Sequence, residues 1–140
     1  DDSLLLEEWI DGRDLAIAVF DSGDGPVALP AVEAIPIGDT YDFEARYEIG
    51  ATRFECPAPL DESQSRRAAE LAVAAFTTFG CSGIARVDML MTASGDLTIL
   101  EVDTVPGMTQ TSLVPLAAEA AGIDFDEFVR RSIEHAIERA

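Results

Sequence analysis

Two β-type segments near the middle of the chain constrain the fold more than any other stretch. They are Ile84-Ala85-Arg86-Val87-Asp88-Met89 and Ile99-Leu100-Glu101-Val102-Asp103-Thr104, joined through the turn sequence Thr92-Ala93-Ser94-Gly95-Asp96. They read as an antiparallel hairpin. Side chains alternate along a strand, so Arg86 and Asp88 share one face while Ala85, Val87 and Met89 take the other. Glu101 and Asp103 likewise share a face, opposite Leu100 and Val102. A turn centred near Ser94 sets Asp88 beside Glu101 and Arg86 beside Asp103. Like charges directly opposite destabilise a hairpin, so a compensating partner is expected. Two readings are open at this point. A charged face is in general the solvated side of an antiparallel sheet. Crowded carboxylate oxygens also suit a hard divalent cation such as magnesium, with a phosphate as a further ligand.

The segment that follows favours a site. Thr104-Val105-Pro106-Gly107-Met108-Thr109-Gln110-Thr111-Ser112-Leu113-Val114-Pro115 begins with a Pro-Gly pair that interrupts the strand and turns backbone N–H groups outward. Thr111 or Ser112 then opens an apolar helical stretch, whose first turn presents further unpaired N–H groups. Donors of this kind beside carboxylates suit a carboxylate ligand or a developing oxyanion.

Elsewhere the chain alternates strands and helices with no linker or repeat. Leu4 to Ile10 reads as a strand with Leu15 to Phe20 as its antiparallel partner, and a third strand is expected from Val27 to Ile37. Gly38 to Thr52 is polar and aromatic without periodicity, which predicts a long binding or lid loop. Asp61 with Gln64 forms a capping-box pattern ahead of a helix whose stripe is Ala68, Leu71, Ala72, Ala75, Phe76 and Phe79, closed by Gly80. Asp124 and Glu127 open a last helix, with Phe128, Val129, Ile133, Ala136 and Ile137 expected to face inward and His135 to sit at the surface.

A chain of 140 residues, 48% hydrophobic and 26% charged, is about one domain's worth. No apolar run approaches the roughly 18 residues of a membrane span, and no signal-peptide pattern is present, so a cytoplasmic setting is expected. A net charge of -18 repels nucleic acid and anionic membranes. Cys56 and Cys81 are expected to be buried free thiols rather than a disulfide framework. Neither a P-loop nor a G-x-G-x-x-G fingerprint occurs.

The residues also resemble a known family. Glu101-Val102-Asp103-Thr104-Val105-Pro106-Gly107-Met108-Thr109, preceded by Ala85-Arg86-Val87-Asp88, looks like the C-terminal lobe of the D-alanine–D-alanine ligases, which are ATP-grasp enzymes. The resemblance extends through Tyr41-Asp42-Phe43-Glu44-Ala45-Arg46-Tyr47, Cys56-Pro57-Ala58-Pro59-Leu60, Phe79-Gly80-Cys81 and Ser112-Leu113-Val114-Pro115, in one order along essentially the whole chain. It implies an α+β fold, the ATP-grasp C-terminal subdomain, with a mostly antiparallel sheet flanked by helices. Residues 1–140 are then expected to be that lobe alone, without the N-terminal substrate domain, the small ATP-grasp subdomain or its glycine-rich loop and lysines.

The implied activity is an ATP-dependent carboxylate–amine ligation of two D-alanines through an acyl phosphate, for peptidoglycan synthesis. D-lactate or D-serine as second substrate, or a non-catalytic nucleotide- or metal-binding remnant, are the alternatives. By the same resemblance Glu7 bonds the adenine amino group, the backbone at Trp9 and Ile10 meets the purine edge, and Asp14 takes a ribose hydroxyl. Trp9 has a core aromatic role as its other reading. Arg46 touches phosphate from the lid loop and Tyr47 closes it. Asp88, Glu101 and Asp103 hold two divalent ions, Mg2+ or Mn2+. Arg86 and the Gly107 N–H stabilise the oxyanion, and Ser112 with the Leu113 N–H holds the second substrate's carboxylate. ATP and D-alanine are the expected partners, with a homodimer for the full-length enzyme.

Besides Asp14, which stands in place of the family's usual Glu and reaches less far, two positions depart from the family pattern. The chain has no lysine and no asparagine, and all nine of its basic residues are arginine. Arg46 stands where the family has Lys, and Asp103 where it has Asn. The first exchanges a point charge for a planar fork; the second adds a negative charge to the metal-type cluster.

Overall fold

The computed structural model describes residues 4–37, 51–109 and 112–139. Six strands form one sheet: β1 (Arg13–Asp21), β2 (Pro26–Ala28), β3 (Val32–Pro36), β4 (Thr52–Glu55), β5 (Ile84–Met91) and β6 (Leu97–Asp103). The order is β4-β3-β1-β5-β6, with β2 also paired to β1, and every pairing is antiparallel. Three described helices flank it: α1 (Glu62–Thr78), α2 (Leu113–Ala120) and α3 (Phe125–Glu138). This is the expected α+β architecture.

β1 is the spine because both of its faces are apolar. Leu15, Ile17 and Val19 join Val87, Met89 and the α1 residues Ala68, Ala72 and Phe76 in one core. Ala16, Ala18 and Phe20 face the other way, against Val114, Ala117 and Ala118 of α2 and Phe128 of α3. The rings of Phe20 and Phe128 meet with centroids 5.0 Å apart at 52°, an arrangement aromatic pairs favour. The sheet is thus sandwiched between α1 and the α2–α3 pair.

Several local expectations hold. Asp61 caps α1: its carboxylate accepts from the Gln64 N–H at 2.8 Å, and the Gln64 side chain accepts from the Asp61 N–H at 3.1 Å. Gly80, at φ 65°, follows the helix end as a left-handed residue. Asp124 caps α3 through the Glu127 N–H at 2.9 Å.

Other expectations are corrected. Leu4 to Ile10 forms no strand, because both edges of β1 are taken, by β5 on one side and β2 and β3 on the other. The stretch from Val27 to Ile37 breaks into β2 and β3 at Pro30, which has no N–H to give a ladder. Thr52, the last residue of the expected loop, instead opens β4, a short edge strand carrying Arg53 and Glu55, charges that protect an edge. The lid segment, residues 38–50, lies outside the described residues. Cys56 and Cys81 are free thiols but only half-buried, and burial pushes the Cys56 thiol up. Phe79 is exposed beyond the end of α1.

The largest correction is on α3. The sheet-facing line runs through Phe128, Ser132 and His135, so Ile133 and Ile137 are exposed and His135 is buried. The imidazole packs beside two glycines held at positive φ, Gly23 and Gly83, where a methyl group would come within 3.8 Å of the ring. The imidazole thus takes the inward position where the helix period alone favoured Ile133.

One buried ion pair ties the sheet together. Arg13 donates from Nε to Glu33 Oε1 at 2.7 Å and from Nη2 to Oε2 at 2.5 Å, and reaches the Pro59 carbonyl at 3.3 Å. Glu33 is 7% exposed. Replacing Arg13 with Met strands that carboxylate. Because the arginine is itself about a third exposed, the expected loss is discounted to about 2 kcal/mol, read as a lower urea midpoint at unchanged slope.

On α3, Glu127 accepts from Arg130 and Arg131 at 2.6 to 2.7 Å. Those guanidinium bonds bring its carboxyl down to about 2 from an ordinary value near 4.5. A depressed folded-state pKa contributes stability above the unfolded value that is lost as pH falls through the folded one. Glu127→Gln is therefore expected to flatten the fall of the thermal midpoint between pH 4.5 and 2, leaving the slope above pH 6 unchanged.

Candidate functional site

β5 buries Ala85, Val87, Met89 and Met91 and leaves Arg86, Asp88 and Leu90 on the alternate face. β6 pairs with it so that Arg86 lies opposite Asp103 and Asp88 opposite Glu101, as the alternation required. A register irregularity follows between Asp88 and Met89, where Met89 pairs with Ile99 and Leu100 is passed over. Bulges of this kind re-aim side chains beside them.

The compensating charge at the centre of this face is Arg86. It grips Asp88 with both arms of its fork, Nε to Oδ1 and Nη2 to Oδ2, each at 2.7 Å. Nη1 stands 3.3 Å from Asp103 Oδ2, and Nη2 3.8 Å from Glu101 Oε1. The Arg86 side chain as a whole is 14% exposed. Its pKa is raised, first by the hydrogen bonds to Asp88 and then by the charges of Asp88, Asp103 and Glu101, against the opposing effect of burial. The spacing Arg86-x-Asp88 on one strand face carried this signal, and sequence reasoning gave the compensation to a cation instead.

The donor set fits a hard divalent ion in its chemistry, since it offers carboxylate oxygen and neither nitrogen nor sulfur. Among the described residues, however, no three acidic, histidine or cysteine side chains are drawn together as a set of metal ligands. The carboxylates are gathered around Arg86.

Beyond β6 the chain turns at once. Asp103 Oδ1 accepts from the Val105 N–H at 3.0 Å, which fixes the exit from the strand. Gly107 then passes close to Ser112: a Cβ at Gly107 would fall 2.9 Å from Ser112 Oγ. Ser112 stands at the N-cap of α2 without its side chain capping that helix. Its hydroxyl accepts from the Thr109 N–H at 3.1 Å and pairs with the Thr109 hydroxyl at 2.8 Å, while the Ser112 N–H donates to the Thr109 carbonyl at 2.8 Å. Gly107 and Ser112 are therefore neighbours, and Leu113 packs against the core shared with α3. Thr109, which the sequence reading did not single out, is the clasp of this loop.

The remaining candidates are more spread out. Asp14 pairs across to Leu90, so it shares the sheet face of Asp88 and Arg86, one strand away. Glu7 and Trp9 are exposed on extended backbone ahead of β1, Trp9 at 78%, and Ile10 is half-buried. Trp9 belongs to neither described core cluster. Arg46 and Tyr47 lie outside the described residues. No described helix is long and apolar enough to cross a membrane.

Comparison with known proteins gives consistent likenesses. The family model described as "D-ala D-ala ligase C-terminus" matches residues 1–134. The D-alanine–D-alanine ligase of Alkalilimnicola ehrlichii is 45% identical over 94% of this chain and 41% of its own length. Among solved structures, the Bacillus anthracis D-alanine–D-alanine ligase complexed with ATP aligns with a TM-score of 0.76 at 30% identity, over 94% of this chain and 40% of that one. The VanG D-Ala:D-Ser ligase of Enterococcus faecalis aligns with a TM-score of 0.75 at 29% identity, over 91% and 37%. The chain thus spans about two fifths of the length of the curated relatives it matches.

The closeness of Gly107 to Ser112 gives a direct test. Gly107→Ala puts a methyl group where the Ser112 hydroxyl lies. The expected result is a displaced hydroxyl and an open clasp, seen as faster amide exchange at Thr109 with the β5–β6 amides unchanged.

Proposed function

Because the chain belongs to the D-alanine–D-alanine ligase family, matching its C-terminal lobe, we propose that it supplies the metal- and oxyanion-binding half of an ATP-dependent ligase that joins two D-alanines. The observation that carries this reading is the shared face of Arg86, Asp88, Glu101 and Asp103, set one turn away from the Gly107–Ser112 loop. In the proposed reaction the carboxylate of one D-alanine attacks the terminal phosphorus of ATP, the bond to the β-phosphate oxygen breaks, and ADP is released. The amine of the second attacks the resulting acyl phosphate, and phosphate leaves. Such chemistry is largely positioning and electrostatics, and needs no covalent bond to the protein.

The chain's own residues divide the work. Asp88, Glu101 and Asp103 would hold the divalent ions, Mg2+ or Mn2+, whose chemistry when bound is to neutralise triphosphate oxygens. Arg86 and the Gly107 N–H would face the oxyanion as negative charge develops on it. Ser112 and the Leu113 N–H, at the start of α2, would take the carboxylate of the second D-alanine. Glu7, with the backbone at Trp9 and Ile10, would meet adenine, and Asp14 a ribose hydroxyl. Arg46 would contact phosphate and Tyr47 would close over the acceptor. The setting that goes with this product is cytoplasmic peptidoglycan synthesis by a homodimer. The likeness to a D-Ala:D-Ser ligase keeps D-serine as the second reading for the acceptor.

The test is phosphate release from ATP by the full-length protein that carries this lobe, with magnesium and D-alanine, and with D-serine, D-lactate and L-alanine in parallel; the lobe alone is expected to be inactive. Turnover that requires D-alanine is the expected result. Turnover only in the presence of D-serine would assign the second reading, and none with any acceptor would overturn both. Arg86→Gln is expected to lower kcat by about 10² to 10³, the usual cost of losing one oxyanion donor, with the thermal midpoint monitored because Asp88 loses its partner.

A further inference from the structure

Ser112 is the N-cap residue of α2, yet its hydroxyl does not cap that helix. It is turned back to Thr109 instead. Its oxygen accepts from the Thr109 N–H at 3.1 Å and lies 2.8 Å from the Thr109 hydroxyl oxygen. The Ser112 N–H closes the same turn on the Thr109 carbonyl at 2.8 Å. These bonds hold the hydroxyl in place, and Gly107 passes so close that a Cβ there would fall 2.9 Å from Oγ. Thr109 is exposed and Ser112 half-buried, so a ligand can reach the pair.

A serine oxygen carries one proton and two lone pairs. The Thr109 N–H takes one lone pair. The 2.8 Å contact allows two arrangements of the rest, since either hydroxyl can donate to the other. If Ser112 donates, its proton is spent on Thr109 and it turns a lone pair outward. If Thr109 donates, both lone pairs of Ser112 are filled and its proton is directed away from Thr109. An ionised carboxylate accepts hydrogen bonds and donates none, so only the second arrangement can bind one. A carboxamide has donors as well as an acceptor and can meet either.

We propose that Thr109 is a positioning residue, whose hydroxyl donates to Ser112 Oγ and so commits the Ser112 proton to the carboxylate of the acceptor amino acid. This rests on the reading above that Ser112 meets that carboxylate. It makes the loop selective for the class of acceptor, favouring a charged carboxylate over a neutral carboxamide. A hydroxyl that itself accepts a hydrogen bond is polarised and donates more strongly. The gain is largest when the final acceptor is charged.

The experiment uses the full-length protein that carries this lobe, with ATP, magnesium, and D-alanine and D-alaninamide at equal concentration. D-Alaninamide offers the same amine with a neutral end, so the two compete as acceptors for the acyl phosphate formed on D-alanine. The ratio of D-alanyl-D-alanine to D-alanyl-D-alaninamide reads the discrimination directly. With D-serine as the acceptor, D-serinamide takes the competitor's place. Thr109→Val removes the hydroxyl and keeps both the side-chain shape and the N–H bond to Ser112. It is expected to move the ratio toward the amide by about fivefold, the worth of one neutral hydrogen bond, with the KM for ATP unchanged. Thr109→Ser, which keeps a hydroxyl, is expected to retain the ratio of the unsubstituted protein. A merely structural role would slow both products together and leave the ratio alone, and that result overturns the proposal. So does a Thr109→Ser ratio equal to that of Thr109→Val. Should Thr109→Val fail to fold, Thr109→Ala removes the same hydroxyl from an exposed position, and its ratio decides. Neither product from the unsubstituted protein overturns the ligase reading and this inference with it. Dipeptide formation with the ratio unmoved by the loss of the hydroxyl overturns this inference alone.

Discussion

The antiparallel register between β5 and β6 is the constraint on which both the core and the site depend. On β5 the residues that build the α1-facing core, Ala85, Val87 and Met89, alternate with those that build the site, Arg86 and Asp88. A slip by one residue would turn Val87 and Met89 to the polar face and drive two charges into the core. Full burial of each such apolar side chain is worth about 1.5 to 3 kcal/mol, and unpaired charges in the core would cost more. The packing that stabilises the sheet therefore also fixes which carboxylate faces which. Arg86 makes that arrangement tolerable, since it places one positive charge among three negative ones on adjacent rungs.

The rest of the fold extends this constraint outward. β1 pairs with β5 along eight residues, which sets Ala16 and Ala18 beside Asp88 and Arg86 on the same face. Their small side chains let α2 approach the sheet, with Ala117 and Ala118 fully buried against it. That approach brings the start of α2 toward the end of β6, and the short connection between them contains Gly107 and Ser112 in contact distance. On the opposite face α1 and the Arg13–Glu33 pair hold β1 to β3, so the sheet keeps its twist and order without drawing on the site residues. The site face and the support face are built from alternate residues of the same strands.

Much of this was legible because it follows from short-range rules. The period-two pattern gave the cross-strand partners of Arg86 and Asp88, and the Asp61–Gln64 pattern gave the start of α1 with its reciprocal cap. What was not legible depends on contacts distant in sequence. Leu4 to Leu6 has a strand's composition, yet β1 has no edge left to pair with it. Ile133 and Ile137 fit a helical stripe, yet α3 turns His135 inward, beside Gly23 and Gly83, which are far away in the chain. In the site, the residues could be named from the sequence but the state of charge compensation could not. Whether Asp88 faces an arginine or a solvated edge is settled by how the Arg86 side chain crosses to it, which spacing permits but does not dictate.

Compensation by Arg86 is partial, and that bears on what the face can bind. The fork saturates Asp88, but Asp103 is met only at 3.3 Å and Glu101 only at 3.8 Å, with the Glu101 side chain 55% exposed. Among the described residues, the contacts around Arg86 set three carboxylates against one guanidinium. A purely structural ion pair needs no such excess, and excess negative charge among half-buried groups works against folding. This face, beside the close approach of Gly107 to Ser112, is the feature on which the proposed cation reading rests.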